Sequence, residues 1–527
     1  MNLAQALRLT PSTLTGTSPG KASHWDKSAQ RNLDSIPSPV GGFGDPQGAS
    51  QRPVGVVSLV GAGGKTTALF QLARQIAQNP FSAVILTITT HIGTWQTSFA
   101  DHHIIARNLN DLNNIPLHGV ILITGEIEND RTKPINQTIL KWLHEDTKAR
   151  NIPLLIEADG SRQKPLKAPA AHEPPIPEFT DAVTVVAGLS ALGKPLVDEY
   201  VHRAEVFSQL SGLQINQTIT ADAITRMLAH RQGGLKNIPP TARRIALLNQ
   251  ADNPELQSVG GGIARELLDH YDSVIVGTLQ HNSLQTFERC AGIVLAAGES
   301  SRYGSPKQLL DWKGKPFVRH IAETALHAGL WPVVVVTGSH AADIESALNG
   351  LPVNIVHNPD YQQGQSTSIK AGINSLQPPP PYSGTSPSEA SLWDKSAENN
   401  FQNPPTPLGR FGGPQGASQR SVGVGSAIFL LADQPQIPVE VIRALVESHA
   451  QEMQPIIAPL VLEERRANPV LFDRVTFPDL LKLKGDIGGR AIFSNYKVEY
   501  IPWHDDRLLL DVDKPEDYQR LVEDESL

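Results

Sequence analysis

The sequence is poor in cysteine, in long apolar runs and in excess positive charge. Cys290 is the single cysteine among 527 residues, so the chain can form no internal disulfide, and a reducing compartment is expected. The longest apolar runs, such as WPVVVV and SAVILTI, have the length of strands and are too short to span a membrane. Lys and Arg number 45 against 53 Asp and Glu, which argues against a nucleic-acid-binding protein.

A targeting pattern is also missing at the amino terminus, because MNLAQALRLTPST has no charged segment followed by an apolar one. We therefore expect a cytoplasmic protein with neither a membrane nor a nucleic acid as its partner. Hydrophobic residues make up 40% of the chain and charged residues 19%, as in ordinary globular proteins. A chain of this length exceeds one hydrophobic core, which predicts more than one domain.

What the chain does contain is a long internal repeat. A segment beginning TGTSPGKASHWDKSAQRN matches, without a gap, a second segment beginning SGTSPSEASLWDKSAENN, and most positions agree. Both copies are rich in Gly, Pro, Ser, Asn and Gln, so we expect disordered insertions in surface loops at 15–55 and 377–425. A docking peptide for a partner is the alternative, because each copy keeps a Trp and a Phe.

A glycine-rich loop stands between a strand and an amphipathic helix in VVSLVGAGGKTTALFQLARQIA. The backbone of Gly61, Gly63 and Gly64 can approach a phosphate, which the helix N-terminus also favours. Lys65 is placed to reach the outer phosphates of a nucleotide, and the Thr66 hydroxyl to bind magnesium. The loop therefore predicts a nucleotide-binding site.

This loop departs from the strict P-loop pattern, because Leu59 stands where that pattern has glycine. It is a shortened variant, and a glycine-rich turn without a ligand is the alternative. At the end of a later strand, Asp159 is the predicted magnesium ligand. Asn249 and Asp252 are spaced like the base-reading N-K-x-D of GTP-binding proteins, but Gln250 replaces the lysine. A plain polar turn is the alternative there.

The segment IEADGSRQKPLKAP places basic side chains close to acidic ones. Arg162, Lys164 and Lys167 follow Glu157 and Asp159 within a few residues. These cations could clamp an anionic ligand, and a solvated, charge-balanced loop is the alternative.

Six motifs of this half occur in one order: GAGGKTT, TITTHIG, EADGSRQKPLKAPAAHEP, GLSALGKPL, VHRAE and NQAD. They resemble the YqeC-type accessory proteins of selenium-dependent molybdenum hydroxylases. The resemblance implies an α/β domain that binds a nucleotide, here expected to be a nucleoside triphosphate. It also implies a role in the maturation of a molybdenum enzyme, with an apo molybdenum hydroxylase as a partner.

The second half opens with a strand that runs into a Gly- and Ser-rich loop, GIVLAAGESSRYGSPKQLL. Arg302, Lys307 and backbone N–H groups of this loop suit a triphosphate whose α-phosphate is attacked while pyrophosphate leaves. Asp433 ends the strand in IFLLADQP, where we expect a Mg²⁺ ion that bridges phosphates. Asp511 and Asp513 end a further strand, and one of them could be a second ligand; a helix cap at Asp513 is the alternative.

LAAGESSRYGSPKQLL, NPDYQQGQSTSIKAG, LLADQP, NPVLFDR, LKGDIGGRAIF and DVDKPEDY resemble the MobA-like nucleotidyltransferases. Within these, LAAG is similar to the molybdenum cofactor cytidylyltransferases and favours CTP. The resemblance implies catalytic roles for Arg302, Lys307 and Asp433, and metal binding by Asp433. Asp511 is the predicted second metal ligand, from its place in DVDKPEDY. It also implies nucleotide contacts for Ala296, Ala297, Gly298, Ser300, Gly304, Ser366 and Ser368.

One departure concerns the acceptor. Ala467 and Asn468 stand where the family has Gly-His before Pro-Val, a position associated with the acceptor side. The acceptor could therefore be a sugar phosphate or another small phosphorylated molecule. A chaperone that binds the finished cofactor and delivers it to an apo-hydroxylase is the alternative from a different functional class.

Both halves alternate short apolar strands with helices, which predicts an α/β protein of two domains with mostly parallel sheets. We expect a P-loop-like nucleotide-binding domain over 1–285 and a Rossmann-like nucleotidyltransferase domain over 286–527. The second domain is expected to use Mg²⁺ and to transfer CMP from CTP to the phosphate of molybdopterin, releasing pyrophosphate. The first is expected to bind a nucleoside triphosphate and to support molybdenum hydroxylase maturation.

Overall fold

The computed structural model describes most of the two predicted domains. Its described residues are 1–9, 55–78, 82–299, 303–376, 423–461 and 465–523. The bodies of both predicted insertions, and the predicted site residues Ser300 and Arg302, lie outside these ranges. None of the described helices is long and apolar enough to cross a membrane.

The strands of the first half are mostly short apolar runs that can be buried on both faces of a sheet. They are β1 (Val56–Gly61), β2 (Ala83–Ile88), β3 (His102–Ile105), β4 (Gly119–Thr124), β5 (Ile127–Glu128), β6 (Arg131–Thr132), β7 (Leu154–Glu157), β8 (Leu166–Lys167), β9 (Ala182–Gly188), β10 (Val201–His202), β11 (Arg243–Asn249), β12 (Ser273–Thr278) and β13 (Ser283–Phe287). Nine of them form one sheet in the order β13-β12-β11-β9-β1-β7-β2-β4-β3. Only β13, at one edge, runs antiparallel to its neighbour in this sheet.

Helices cover both faces of the first sheet. They are α1 (Leu3–Ala6), α2 (Lys65–Ile76), α3 (Gln137–Arg150), α4 (Ala204–Ser211), α5 (Ala221–Ala229) and α6 (Pro254–Leu267). Val56 and Val60 of β1 belong to the core shared with α3 to α6, whereas Val57 and Leu59 belong to the core shared with α1 and α2. This division follows from the period of two residues along a strand.

The second half contains a mixed sheet of eight strands. The strands of this half, of which β15 and β16 form a separate hairpin, are β14 (Arg289–Ala296), β15 (Asp311–Trp312), β16 (Lys315–Pro316), β17 (Val333–Thr337), β18 (Asn354–His357), β19 (Val424–Leu431), β20 (Ile456–Val461), β21 (Arg465–Arg466), β22 (Val470–Asp473) and β23 (Val498–Pro502). The sheet order is β18-β17-β14-β19-β22-β20-β21, and β23 pairs with β20. β14, β17, β18 and β19 are parallel, whereas β22 runs against both β19 and β20.

Helices also pack on both faces of the second sheet. They are α7 (Phe317–His327), α8 (Ala341–Ala347), α9 (Gln365–Ser375), α10 (Val439–Glu452), α11 (Phe477–Leu480) and α12 (Pro515–Glu523). The core on one face includes residues of α7, α8 and α10, and the core on the other face includes residues of α9 and α11. An α/β architecture with helix-covered sheets is therefore confirmed in both halves.

The two sheets are separated by the single residue Glu288, so the predicted boundary at 285/286 falls within β13. A buried ionic group joins the halves at this point. Arg8 lies 2.7 Å from Asp473 and also contacts Glu288, which in turn lies 2.8 Å from Arg243. Residues from both halves share these charges, so the amino-terminal segment ties the first sheet to the second.

Each sheet has a topological switch point at its carboxyl edge. β1 lies between β9 and β7, and the connection from β1 leads to β2 on one side while β9, β11 and β12 extend on the other. β14 lies in the same way between β17 and β19. In open α/β sheets, ligands bind where the chain turns in opposite directions from neighbouring strands. The ends of β1 and β14 are therefore the two candidate ligand-binding sites.

Candidate phosphate-binding sites at the carboxyl edges of the two sheets

The first loop, between β1 and α2, requires its glycines. Gly61, Gly63 and Gly64 have φ values of 96°, 82° and 121°, a region that favours glycine. A Cβ atom on Gly63 would lie 2.4 Å from the backbone nitrogen of Gly188 on the neighbouring strand. The loop is thus pressed against β9, and it leads directly into the first turn of α2 at Lys65.

Lys65 is almost fully buried beneath this loop. Its Nζ atom donates to the carbonyl oxygen of Gly61 at 2.6 Å and lies 3.2 Å from Oδ1 of Asp159. Asp159 also accepts the Gly61 N–H and lies 2.8 Å from the ammonium group of Lys167. Lys167 lies 2.9 Å from Glu173 as well. The predicted metal ligand Asp159 is therefore held between two ammonium groups.

Thr66 contacts a different carboxylate. Its hydroxyl donates to Oε2 of Glu157 at 2.9 Å, at the end of β7. Burial raises the pKa of Glu157 above its usual value, and the nearby Lys65 opposes that shift. A hydroxyl beside a carboxylate is the pair of oxygen ligands that Mg²⁺ takes next to a phosphate loop. The structure brings this pair together at Glu157, two residues before Asp159.

Asn249 supports the loop from the end of β11. Its amide nitrogen donates to the carbonyl oxygen of Gly63 at 2.7 Å, and its Oδ1 atom accepts the N–H of Leu279 at 3.0 Å. The side chain is buried, whereas Asp252 is exposed. Asn249 therefore positions the phosphate loop through backbone contacts. Base reading by Asn249 and Asp252 stays a prediction.

The second loop begins at the end of β14. Ala296 and Ala297 are buried, and the carbonyl oxygen of Gly298 accepts a hydrogen bond of 2.9 Å from the amide of Gln308. Gly304 has a φ of 82°, and a Cβ atom there would meet no described atom within 4 Å. Among the described residues, the glycine of this loop therefore has no close neighbour, unlike the glycines of the first loop.

Three carboxylates and one lysine meet beside the second loop. The Nζ atom of Lys307 lies 3.0 Å from Oδ2 of Asp433 and 2.7 Å from Oδ1 of Asp513. Burial would lower the pKa of Lys307, but the charges of Asp433 and Asp513 outweigh it and hold that pKa above its usual value. Burial, together with these same two aspartates, raises the pKa of Asp511, which accepts a hydrogen bond from Gln434.

The two predicted serines lie in the first turns of α9. Both are buried; Oγ of Ser368 accepts a 3.0 Å hydrogen bond from the amide of Asn358, whereas the hydroxyl of Ser366 has no partner among the described residues. Asn358 was not singled out from the sequence, although it stands in the quoted motif NPDYQQG. A buried hydroxyl without a partner is the kind of group that a ligand satisfies.

Arg490 is a second residue that sequence reasoning missed. It donates to Oδ1 of Asn468 at 3.1 Å, which is the position that departs from the family pattern. Burial lowers the pKa of Arg490, and Asp511 acts in the opposite direction. Arg490 therefore lies close enough to Asp511 for the two charges to interact. The signal in the sequence was LKGDIGGR, in which this arginine ends the motif.

The second site has the parts for phosphate chemistry. Lys307 offers a cation, and Asp433 and Asp511 offer carboxylate oxygens, the hard ligands that Mg²⁺ takes together with substrate phosphates. Within the described ranges, no group of three or more His, Cys, Asp and Glu side chains could hold a metal ion by itself. The carboxylates of Asp433 and Asp511, together with phosphate oxygens of a bound substrate, would therefore suit a Mg²⁺ ion.

Two family models match the chain. The YqeC protein family matches residues 57–205, and the MobA-like NTP transferase domain matches residues 292–500. The uncharacterized protein YqeC of Escherichia coli (strain K12) is 31% identical over 242 residues, which are 45% of this chain and 91% of that protein.

Curated relatives of the second half carry different names. Nicotine blue oxidoreductase of Paenarthrobacter nicotinovorans is 27% identical over 241 residues, 44% of this chain and 95% of that protein. Molybdenum cofactor cytidylyltransferase of Escherichia coli (strain K12) is 36% identical over 86 residues, 16% of this chain and 44% of that protein. A probable molybdenum cofactor guanylyltransferase of Bacillus cereus (strain Q1) is 40% identical over 88 residues, 16% of this chain and 43% of that protein.

These matches confirm the resemblance that the motifs predicted for each half. The chain belongs to the YqeC family through its first half and carries a MobA-like NTP transferase domain in its second half.

Proposed function

We propose that the second half transfers CMP from CTP to the terminal phosphate of molybdopterin and releases pyrophosphate. The observation that carries this proposal is the placement of Lys307 between Asp433 and Asp513, beside Asp511, at the end of β14. Transfer of a nucleotidyl group depends mainly on positioning and on neutralising phosphate charge. A lysine among carboxylates, next to a glycine-rich loop, supplies both.

The proposed reaction forms one bond and breaks one. An oxygen of the acceptor phosphate bonds to the α-phosphorus of CTP, while the bond from that phosphorus to the oxygen bridging to the β-phosphate breaks. Pyrophosphate leaves with the electron pair. Lys307 would turn from Asp433 and Asp513 towards the triphosphate, and Asp433 and Asp511 would hold Mg²⁺. When bound, Mg²⁺ would neutralise charge on the phosphate oxygens.

CTP is proposed on the strength of LAAG in the second loop. Cytidylyl- and guanylyltransferases of the molybdenum cofactor are both similar to this half over short stretches. The choice between CTP and GTP is therefore decided by measuring the nucleotide specificity. Asn468, held by Arg490 near Asp511, is proposed to lie on the acceptor side. That position is where a different phosphorylated acceptor would be selected.

For the first half we propose a nucleoside triphosphate site. The phosphates would lie on the loop from Gly61 to Gly64, with Lys65 beneath it and Thr66 and Glu157 as the oxygen ligands of a magnesium ion. This half would act with a molybdenum hydroxylase in the cytoplasm as an accessory to its maturation. At the same site, Asp159 would be a further magnesium ligand, and Asn249 and Asp252 would contact the base of the nucleotide.

The test is pyrophosphate release by the full chain with molybdopterin, Mg²⁺ and one of CTP, GTP or ATP. We expect release with CTP and its loss in Asp433→Asn. Asp343→Asn is the matched control, because Asp343 is exposed on α8 and lies 4.0 Å from the ring of His340. Release with GTP alone would contradict the choice of nucleotide. Binding of CTP without any release would favour the chaperone alternative.

A further inference from the structure

The turn between β7 and β8 is built onto the first phosphate loop. The N–H of Gly63 donates to the carbonyl oxygen of Lys164 at 3.0 Å. The N–H of Gly188, which borders the same loop, donates to the carbonyl oxygen of Pro165 at 2.8 Å. Side chains on this turn are therefore carried at the mouth of the proposed nucleotide site.

The turn has an unusual backbone. Arg162 and Gln163 are consecutive residues with φ values of 51° and 60°, in the left-handed region that residues other than glycine rarely adopt. The N–H of Lys164 closes the turn on the carbonyl oxygen of Ser161 at 3.1 Å. Strained backbone of this kind persists where the surrounding structure holds it, often at ligand sites.

The cations of the EADGSRQKPLK segment divide into two groups. Lys167 is buried and lies close to Asp159 and Glu173, so its charge is balanced within the protein. Arg162 and Lys164 have no hydrogen bond or ion pair from their side chains to any described residue. Two positive charges on the turn therefore have no partner among the residues that the structure describes.

The charge of Arg162 acts on His202, a residue of the strand β10. His202 lies opposite Lys167 in the pairing of β8 with β10. Burial lowers the pKa of His202 to about 4, and the charges of Arg203, Lys167 and Arg162 add to this. The charge of Arg162 thus adds to that of Lys167 around His202, beside the strand that follows the turn.

We propose that Arg162 and Lys164 bind the terminal phosphate of the nucleotide in the first half, an inference that rests on the nucleotide site proposed above. The ammonium group of Lys65 is already bound to the carbonyl oxygen of Gly61 and to Asp159, so we expect the terminal phosphate to face the cations of the turn. That phosphate carries the largest charge of a triphosphate, and arginine is suited to bind it with two parallel hydrogen bonds. The site would then distinguish a triphosphate from a diphosphate.

The experiment is calorimetric binding of βγ-imido ATP and βγ-imido GTP, and of ADP and GDP, to the full chain with Mg²⁺. We expect Arg162→Ala and Lys164→Ala each to weaken triphosphate binding about tenfold or more. Diphosphate binding should change less than about twofold, because the removed contacts go to the terminal phosphate. Arg162→Lys should recover part of the loss. Lys141→Ala, an exposed lysine on α3, is the matched control and should change neither.

The outcomes separate the two proposals. Equal weakening of triphosphate and diphosphate, or no weakening, would overturn the role of the turn while leaving the nucleotide site intact. A wild-type chain that binds none of the four nucleotides would overturn the site itself and the inference with it. If added inorganic phosphate competes with βγ-imido ATP only in chains that retain Arg162, the contact to a phosphate group is supported independently.

Discussion

The two loops occupy equivalent places in their sheets but are held in different ways. In the first loop, Gly63 is fixed by backbone and amide contacts from Lys164 and Asn249, and Lys65 is tied to the loop's own carbonyl oxygen. In the second loop, Gly304 has no described atom within 4 Å of an added Cβ, and Lys307 is held by Asp433 and Asp513. The first loop is thus shaped by close packing, and the second site by charge.

This difference indicates what each loop tolerates. A loop in contact with a neighbouring strand cannot accept a side chain where that contact is made, whatever its charge. A site held by ion pairs can accept a change of loop shape but not the loss of a charge. Three sets of substitutions test this contrast, in order of expected effect.

The largest effect is expected for Lys307→Ala, which removes the cation of the second site. We expect the turnover number for pyrophosphate release to fall about 10²- to 10³-fold, as for loss of a group that stabilises transition-state charge. Nucleotide binding to the first half should stay unchanged. The measurement is steady-state kinetics with CTP, together with thermal melting to show that the variant folds. Lys307→Arg is the control, and full activity of Lys307→Ala would contradict the proposed role.

An intermediate effect is expected for alanine at two glycines with the same φ of 82°. Gly63→Ala adds both backbone strain and an overlap with the nitrogen of Gly188, and should lower the free energy of unfolding by about 2 to 5 kcal/mol. Gly304→Ala adds strain alone and should lower it by about 1 to 2 kcal/mol. Urea denaturation measures both. Equal losses would show that the two loops are not packed differently.

The smallest effect concerns two carboxylates whose pKa is raised, Glu157 in the first site and Asp511 in the second. Burial is the largest cause in both. A raised pKa in the folded state means that the folded chain binds more protons than the unfolded one, so stability falls as pH rises through that window. Glu157→Gln and Asp511→Asn should therefore be more stable than the wild type at neutral pH.

This gain should fade as the pH falls towards the ordinary carboxyl pKa of about 4, where folded and unfolded states are both protonated. Urea denaturation at several pH values measures it. Asp343→Asn serves as the control, since the side chain of Asp343 is 68% exposed. A gain that is the same at every pH would mean that lost charge is not its cause.

The strands that lead into the two phosphate loops and to Asp433 were predictable, because they are apolar runs that end in recognisable motifs. The strand predicted before Asp511 was wrong, because Asp506–Leu509 form a short 3-10 helix instead. The end of β1 in GAGGKTT and the end of β19 in LLADQP were both read correctly, and the α/β architecture is confirmed. The boundary between the halves was harder to predict from the sequence. Glu288 separates two strands whose sequences join without a loop, so no composition change marks the division.

The partners of the site residues were harder to predict. From the sequence, Asn249 was a base reader or a turn residue, but it holds the carbonyl oxygen of Gly63, which lies 186 residues away. Asp159 and Glu157 are two residues apart, so no pattern could tell which would meet Thr66. Arg8 carried no motif at all, and its role as a link between the halves depends on Glu288 and Asp473.

The sequence by itself determined the alternation of strands and helices, the two families, and the kinds of side chain that stand at the strand ends. Periodicity and residue type are local properties, so they can be read along the chain. Only the tertiary structure decided that Lys307 meets Asp513 across 206 residues, and that Lys167 has acidic partners whereas Arg162 and Lys164 have none among the described residues. Those pairings depend on which strands become neighbours in the sheet, and no local pattern specifies that.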